Sequence, residues 1–170
     1  MIMKHITLSF LMASILFVAN LHAQTISGTY AIKNVKTGIF IRIKDANTKN
    51  GTPIVAYSPV NWKCVTWDFK KQADNTYQLK NLFSGKTLQP VGKTIPGVSM
   101  EEQPLVAGSE MQQFEFISQG KDVYLIKLKN TSLYLTPSDK EGAENTPIIL
   151  SEKTGEPLQQ WTLQEQHPVM

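Results

Sequence analysis

The stretch Leu158-Gln159-Gln160-Trp161-Thr162-Leu163 decides the fold, because two earlier segments of the chain repeat it in outline. The central aromatic residue of the three segments recurs every 47 residues (114−67 and 161−114), and a tyrosine recurs with the same step. A fixed internal period of this length is typical of repeat architectures. The sequence therefore predicts three copies of one unit, at about residues 30–76, 77–123 and 124–170. The other two segments are Cys64-Val65-Thr66-Trp67-Asp68-Phe69 and Met111-Gln112-Gln113-Phe114-Glu115-Phe116, and the tyrosines are Tyr30, Tyr77 and Tyr124.

We predict about four short strands in each unit, with apolar residues at matching positions. An apolar residue two places after each tyrosine gives the period-2 pattern of a strand with one buried face. A polar turn, a second apolar position and a third strand follow, and the fourth strand alternates apolar residues with polar ones that we expect to face water. The matching positions are Ile32, Leu79 and Ile126, then Ile41, Leu88 and Leu135, then Ile54 and Ile148, and the outward-facing polar residues are Asp68, Glu115 and Thr162.

Three such units predict a closed all-β barrel. One unit has a single apolar face and cannot bury it alone, so the copies must pack against each other. Propellers use four-stranded units of similar length, but they need about 4–8 blades. A three-fold barrel capped by hairpins fits the count and leaves no strand edge exposed. In this arrangement the repeated tyrosines and Trp67, Phe114 and Trp161 meet near the axis.

The repeated motif resembles that of the ricin-type lectin domain, a β-trefoil whose three repeats each carry a Gln-x-Trp sequence. Gln159-Gln160-Trp161 matches this motif fully, Gln112-Gln113-Phe114 matches it with Phe for Trp, and Val65-Thr66-Trp67 keeps only the Trp. The resemblance extends from about Ser27 to Gln164. It implies a single β-trefoil domain at residues 24–170 and a glycan or polysaccharide as the ligand.

The residues that hold sugar in this family are replaced here. In the family, an Asp just after the second-strand leucine binds sugar hydroxyls, whereas this chain has Arg42, Gln89 and Thr136 at those positions. The Asn before the motif Gln is replaced by Cys64, Met111 and Leu158, which are all apolar. We expect these three residues to pack inward, and we do not expect recognition of the family's usual galactose type.

Repeat one nevertheless keeps aromatic and polar residues together. Tyr57 lies where the resemblance implies a stacking aromatic residue, Asn61 and Trp62 are in the loop that follows it, and Asp45 is near the position of the missing acid. The C–H face of a sugar packs on aromatic rings, and its hydroxyls need fixed polar partners. We therefore predict a carbohydrate site formed by Tyr57, Trp62, Asn61 and Asp45. The alternative interpretation is that Tyr57 and Trp62 are packed beneath a loop.

Residues 1–23 have the layout of a secretory signal peptide. Lys4 precedes a short apolar run at residues 6–18, and Ala23 is a small residue suited to cleavage before Gln24. The apolar run is shorter than the ~20 residues that a transmembrane helix needs. We expect cleavage before Gln24 and a secreted or periplasmic protein.

The composition of residues 24–170 excludes several function classes. Without Lys4 the chain has 16 basic and 14 acidic residues (17−1 against 14), a formal charge of +2, which does not indicate nucleic acid binding or membrane insertion. Cys64 is a single cysteine and His167 a single histidine, so we expect no disulfide, metal site, cofactor or catalysis. Two classes stay open: a secreted carbohydrate-binding module, and a non-lectin trefoil that binds a protein partner or serves as a structural accessory.

Overall fold

The computed structural model describes residues 25–169, and twelve β-strands and four short 3₁₀ turns occupy this part of the chain. The predicted signal peptide lies outside the described residues. Within residues 25–169, no helix has the length and apolarity needed to cross a membrane. The strands are β1 Thr29–Asn34, β2 Phe40–Ile43, β3 Ile54–Tyr57, β4 Thr66–Lys71, β5 Tyr77–Asn81, β6 Thr87–Pro90, β7 Met100–Gln103, β8 Phe114–Gly120, β9 Val123–Leu128, β10 Leu133–Pro137, β11 Ile148–Glu152 and β12 Gln160–Glu165. The 3₁₀ turns are Lys44–Ala46, Lys63–Val65, Glu110–Gln112 and Pro157–Gln159.

Six of these strands close into a barrel, and the other six form three hairpins. The barrel strands β1, β4, β5, β8, β9 and β12 pair antiparallel around a ring, which the β1–β12 pairing closes. The hairpins are β2–β3, β6–β7 and β10–β11, one in each repeat. This arrangement is a β-trefoil, so the predicted fold class is confirmed.

The two residue series that defined the repeat lie side by side in the barrel. In each unit the recurring tyrosine is the direct antiparallel partner of the recurring Trp or Phe: Tyr30 with Trp67, Tyr77 with Phe114, and Tyr124 with Trp161. The side chains of Trp67, Phe114 and Trp161 are completely buried. The 47-residue period therefore arises from one strand pair that occurs once in each of the three repeats.

Asp68 and Glu115, the acidic residues in the fourth strand of repeats one and two, are only partly exposed, although we expected them to face water. Asp68 forms an ion pair with Lys70 (2.5 Å) and Glu115 forms one with Lys127 (2.8 Å), and each carboxylate is half-buried beside its partner. The expected side of the strand is thus correct, but a neighbouring lysine covers part of each carboxylate.

Met111 is 38% exposed, so the expectation that it packs inward was wrong. Its counterparts Cys64 and Leu158 are buried as predicted. Cys64 packs in a small cluster with Ala31, Phe40 and Val65. The residues of repeat two that are equivalent to Ala31, Phe40 and Val65, 47 residues later, are the polar residues Gln78, Thr87 and Gln112. Repeat two therefore lacks the apolar cluster in which Cys64 packs.

Glu102 is a buried carboxylate in β7, and neither of its oxygens has a hydrogen-bond partner among the described residues. Burial raises its pKa above 4.5, and the nearby Ser84 hydroxyl and Lys86 ammonium oppose this change by less. The folded state therefore binds the proton more tightly than the unfolded state. Stability falls as the pH rises from about 4.5 through the raised pKa, and the loss persists at neutral pH.

We expect Glu102→Gln to raise the free energy of unfolding at pH 7.5 by about 1–2 kcal/mol, because it removes a buried charge without a partner. The gain should shrink as the pH approaches 4.5. Urea denaturation at several pH values measures this. Glu101→Gln is the matched control, because Glu101 is the more exposed neighbour in the same strand. A Glu102→Gln variant less stable than wild type at pH 7.5 would contradict the prediction.

Candidate functional site

The outer face of repeat one gathers side chains from the β2–β3 hairpin and from the two 3₁₀ turns that follow its strands. In this hairpin Phe40 is paired with Tyr57 and Arg42 with Val55, so Arg42 and Tyr57 project diagonally from the same face. Asp45 lies in the turn after β2, and Trp62 lies just before the turn that leads into β4. We call Arg42, Asp45, Tyr57 and Trp62 the repeat-one cluster.

Arg42 is the centre of this cluster. The side chain is buried, and its guanidinium carbon lies 3.6 Å from the centroid of the Tyr57 ring, a cation–π contact. Its Nη2 donates to Asp45 Oδ1 at 3.3 Å and to Asn145 Oδ1 at 3.2 Å. Its Nε is buried and has no partner in the part of the chain that the structure describes. The sequence identified Arg42 only as a replacement for an acid, and its central position is a finding of the structure.

Tyr57 and Trp62 form an aromatic pair at the surface. Their ring centroids are 6.1 Å apart and the rings are inclined by 31°. The Trp62 carbonyl accepts hydrogen bonds from Thr66 Oγ1 (2.8 Å) and from Val65 N (3.2 Å), which hold this turn in place. Arg42 covers one face of Tyr57, and Trp62 is 38% exposed. Trp62 is therefore the ring more open to a ligand.

Asp45 and Asn61 are the polar residues predicted for the site. Asp45 and the following Ala46 both have left-handed backbone, with φ of 53° and 48°, which is unusual away from glycine. This turn directs Asp45 toward Arg42 while leaving its side chain 68% exposed. Asn61 is exposed beside Trp62 in sequence, and its side chain makes no hydrogen bond to another described residue. The structure thus brings Asp45, Tyr57 and Trp62 together around Arg42, and their role in sugar binding stays a prediction.

A loop of repeat three completes the repeat-one cluster. Asn145 N donates to Ala56 O at 2.9 Å and Ala56 N donates to Thr146 O at 2.8 Å, so the loop is fastened to β3. The Ser58 hydroxyl also donates to the Glu144 carboxylate. Asn145 is 103 residues from Arg42. No pattern in the sequence indicated that these residues meet.

The motif glutamines of repeats two and three are fully occupied by internal hydrogen bonds. Gln112 Nε2 donates to Gln89 Oε1 and to Pro104 O, both at 2.9 Å, and its Oε1 accepts from Val106 N at 2.8 Å. Gln159 Nε2 donates to Ser151 Oγ (2.8 Å) and Glu152 O (2.6 Å), and its Oε1 accepts from Thr154 N (2.8 Å).

Repeat one has Val65 at the motif position, so no glutamine binds the polar residue of its second strand. In repeat two Gln89 is held by the motif glutamine, and in repeat three Thr136 bonds Ser151, which the motif glutamine also contacts. Arg42 instead bonds Asp45 on the outer face. The three repeats therefore share a core but not an outer face.

A cavity of about 630 Å³ lies elsewhere, between the β4–β5 and β8–β9 hairpins. Tyr77–Phe114 is the single residue pair joining β5 to β8, whereas β1–β4 and β9–β12 have three pairs each. An ion pair of Asp74 with Lys129 (2.5 Å) closes one side of the cavity. Hydrogen bonds from Lys129 and Thr76 lower the pKa of Asp74 to about 2. The opposite charges of Asp74 and Lys129 therefore neutralise each other at this side of the cavity.

The groups that could serve catalysis or bind metal are isolated. Burial raises the pKa of the Cys64 thiol, which disfavours the reactive thiolate. His167 is exposed near the end of the chain, where it faces Glu165 at 3.3 Å. Residues 25–169 contain no group of three or more His, Cys, Asp or Glu side chains arranged to hold a metal ion. The repeat-one cluster, which groups aromatic and polar side chains at the surface, is therefore taken as the candidate site.

Fold and site together define the class: a three-repeat β-trefoil binding module that carries its candidate site on the outer face of one repeat. The sequence profile described as "Ricin-type beta-trefoil lectin domain-like" matches residues 17–101, which is half of the 170-residue chain. The chain belongs to this ricin-type β-trefoil lectin-like family. No curated protein matches the sequence.

Solved β-trefoils are similar to this chain over nearly their whole length. The designed three-fold symmetric protein ThreeFoil has a TM-score of 0.76 and 22% identity, covering 80% of this chain and 97% of its own. The Rhizoctonia solani agglutinin has a TM-score of 0.76 and 20% identity, covering 84% and 98%. The Macrolepiota procera ricin B-like lectin, solved in complex with lactose, has a TM-score of 0.69 and 24% identity, covering 84% and 99%. At these identities the similarity establishes the shared fold.

Proposed function

We propose that this protein is an exported carbohydrate-binding module with a single weak site, in repeat one. The observation that carries the proposal is the exposed ring of Trp62 beside Tyr57, with Asn61 next to Trp62 in the chain and Asp45 bonded to Arg42, which stacks on Tyr57. Membership of the lectin-like family supports a sugar as the ligand. The occupied glutamines of repeats two and three support a single site rather than three.

In the proposed complex, the C–H face of a sugar ring packs on Trp62 and on the uncovered part of Tyr57. Asp45 accepts hydrogen bonds from hydroxyls, and the Asn61 amide both donates and accepts. Because the site is shallow, much of this gain is offset by desolvation of the hydroxyls. A dissociation constant near ~1 mM, about −4 kcal/mol, is expected. Retention on a polysaccharide would then need several copies of the module or a neighbouring domain.

The proposal includes no catalytic step. The family supports a binding role, and Cys64 and His167 lie in settings unsuited to nucleophilic or acid–base chemistry. Turnover of a glycan or peptide by purified protein, lost on a single substitution, would contradict this part of the proposal.

NMR titration with a panel of sugars tests the site. We expect Trp62→Ala to weaken binding at least about tenfold (about 1.4 kcal/mol), because it removes the exposed stacking surface. Tyr57→Ala should weaken binding too, since Tyr57 supplies the second ring. Phe83→Ala is the matched control, because Phe83 is an exposed aromatic residue of repeat two. Equal affinities in all four proteins would exclude repeat one as the site.

A second candidate function, binding of a protein partner, is favoured by the outer face of repeat two. Several of its apolar side chains are exposed, where repeat one presents Trp62 and charged groups. Absence of chemical-shift changes with every sugar would favour this candidate over carbohydrate binding. The exposed residues are Val91, Ile95, Leu105, Val106 and Met111.

We also propose that the chain is exported and begins at Gln24 in its mature form. The support is the order of basic, apolar and small residues before position 24. Intact-mass measurement of the product released by secreting cells tests this. A mature protein that retains residues 1–23 would contradict it.

A further inference from the structure

Arg42 has more hydrogen-bonding capacity than its neighbours use. A guanidinium has five N–H donors in a rigid plane, and a buried arginine is normally paired by a carboxylate through two parallel bonds. Here Nη2 alone is bonded, to one oxygen of Asp45 and to the neutral amide of Asn145. Nε is buried with no partner, and no described residue is bonded to Nη1. The positive charge of Arg42 is therefore only partly matched by the protein.

The anion that Arg42 does contact is loosely held. The Asp45 carboxylate reaches Nη2 through one oxygen at 3.3 Å, and its side chain is 68% exposed. An ion pair of this exposure and geometry contributes little to stability. A ligand anion can therefore take the place of Asp45 at the guanidinium edge without breaking a strong contact.

The surroundings of Arg42 favour an anion attached to a ring. Tyr57 stacks on the guanidinium, and the exposed ring of Trp62 lies 6.1 Å from Tyr57. Lys44 and Lys63 are next to Asp45 and Trp62 in the chain, and neither forms an ion pair with a described residue. A sugar ring on Trp62 would hold a substituent near a cation of fixed geometry, which suits carboxylate and sulfate groups.

We propose that the ligand of the repeat-one cluster is an acidic saccharide, a sugar that carries a carboxylate or a sulfate group. Arg42 binds the anionic group, and Trp62 packs against the sugar ring. This inference rests on the proposed function, because it names the chemical class of the ligand at the same site.

The test compares matched acidic and neutral sugars. Galacturonic acid and galactose are titrated at pH 7 into wild type, Arg42→Lys, Arg42→Gln and Asp45→Asn, each at low and high salt. We expect wild type to bind galacturonic acid about tenfold more tightly than galactose, the scale of one charge-assisted hydrogen bond, and to lose this preference in high salt. Arg42→Gln should bind both sugars equally, and Arg42→Lys should keep part of the preference. Lys121→Gln, which removes an exposed cation of another repeat, should leave the preference unchanged.

If the Arg42 variants do not fold, Asp45→Asn still tests the acidic-saccharide proposal, because Asp45 is exposed. Removing the competing carboxylate should raise the preference for galacturonic acid over galactose. Titration with galactose 6-sulfate shows whether a sulfate serves in place of the carboxylate. Equal binding of galacturonic acid, galactose and galactose 6-sulfate, with all three lost in Trp62→Ala, would overturn the acidic-saccharide inference and leave the proposed function intact. No binding of any sugar, either in this set or in the wider panel of sugars used to test the proposed function, would overturn both.

Discussion

Trp161→Ala should lower the free energy of unfolding by about 3–5 kcal/mol, the cost of a large deletion in a packed core. The Trp161 side chain is completely buried in the barrel, and its indole N–H donates to Leu135 O at 3.0 Å. The alanine variant therefore leaves a cavity and a buried carbonyl without its partner. The loss approaches the whole stability of a typical domain, which is about 5–15 kcal/mol.

Equilibrium urea denaturation measures this loss, and Trp62→Ala is its matched control. Both variants remove one indole, but Trp62 is partly exposed and is not part of the main core. We expect the control to cost less than about 1 kcal/mol, since it leaves no enclosed cavity. Equal stability of Trp161→Ala and the control would contradict the position of Trp161 at the centre of the barrel.

Asn81→Leu should cost about 3 kcal/mol, because the buried Asn81 amide makes four hydrogen bonds to the backbone. Its Nδ2 donates to Cys64 O (3.1 Å) and Thr66 O (3.3 Å), and its Oδ1 accepts from Phe83 N (2.9 Å) and Ser84 N (3.3 Å). Each bond contributes about 0.5–1.5 kcal/mol, and the buried groups left unpaired add to the loss. The amide joins the entry of β4 to the turn after β5.

Repeat three shows that leucine fits this position sterically, because its equivalent residue is Leu128 (81+47), which is buried. The loss in Asn81→Leu is therefore assigned to hydrogen bonds rather than to volume. Asn47→Leu is the control, because Asn47 is exposed and its side chain accepts one bond, from Lys49 N at 3.0 Å. Thermal and urea unfolding of both variants test the prediction, and wild-type stability in Asn81→Leu would refute it.

The 47-residue period was enough to predict three units that close into an all-β barrel, because it comes from contacts that each repeat makes within itself, and the resemblance of the repeated motif to the ricin-type domain implied that this barrel is a β-trefoil. Tyr124 and Trp161 are strand partners in one unit, and the same pair occurs in the other two. A strand needs only alternating apolar residues, and a closed barrel needs only that each copy has one apolar face. Both conditions are visible in the printed sequence. Asn81 was visible there as well, but its four hydrogen bonds were not.

The outer face of each repeat was decided by the tertiary structure. Gln112 is visible in the sequence as part of the repeated motif, but the backbone and side-chain groups that its amide bonds are seen only in the structure. Met111 was expected to be buried, but it is exposed, and the apolar residues that pack with Cys64 in repeat one are polar at the equivalent positions of repeat two. Arg42 meets Asn145 because a loop of repeat three is fastened to β3, across 103 residues of chain. A repeat pattern specifies which residues are equivalent and which are apolar. Contacts between distant loops depend instead on the individual side chains in which the repeats differ, and only the packed barrel brings those side chains together.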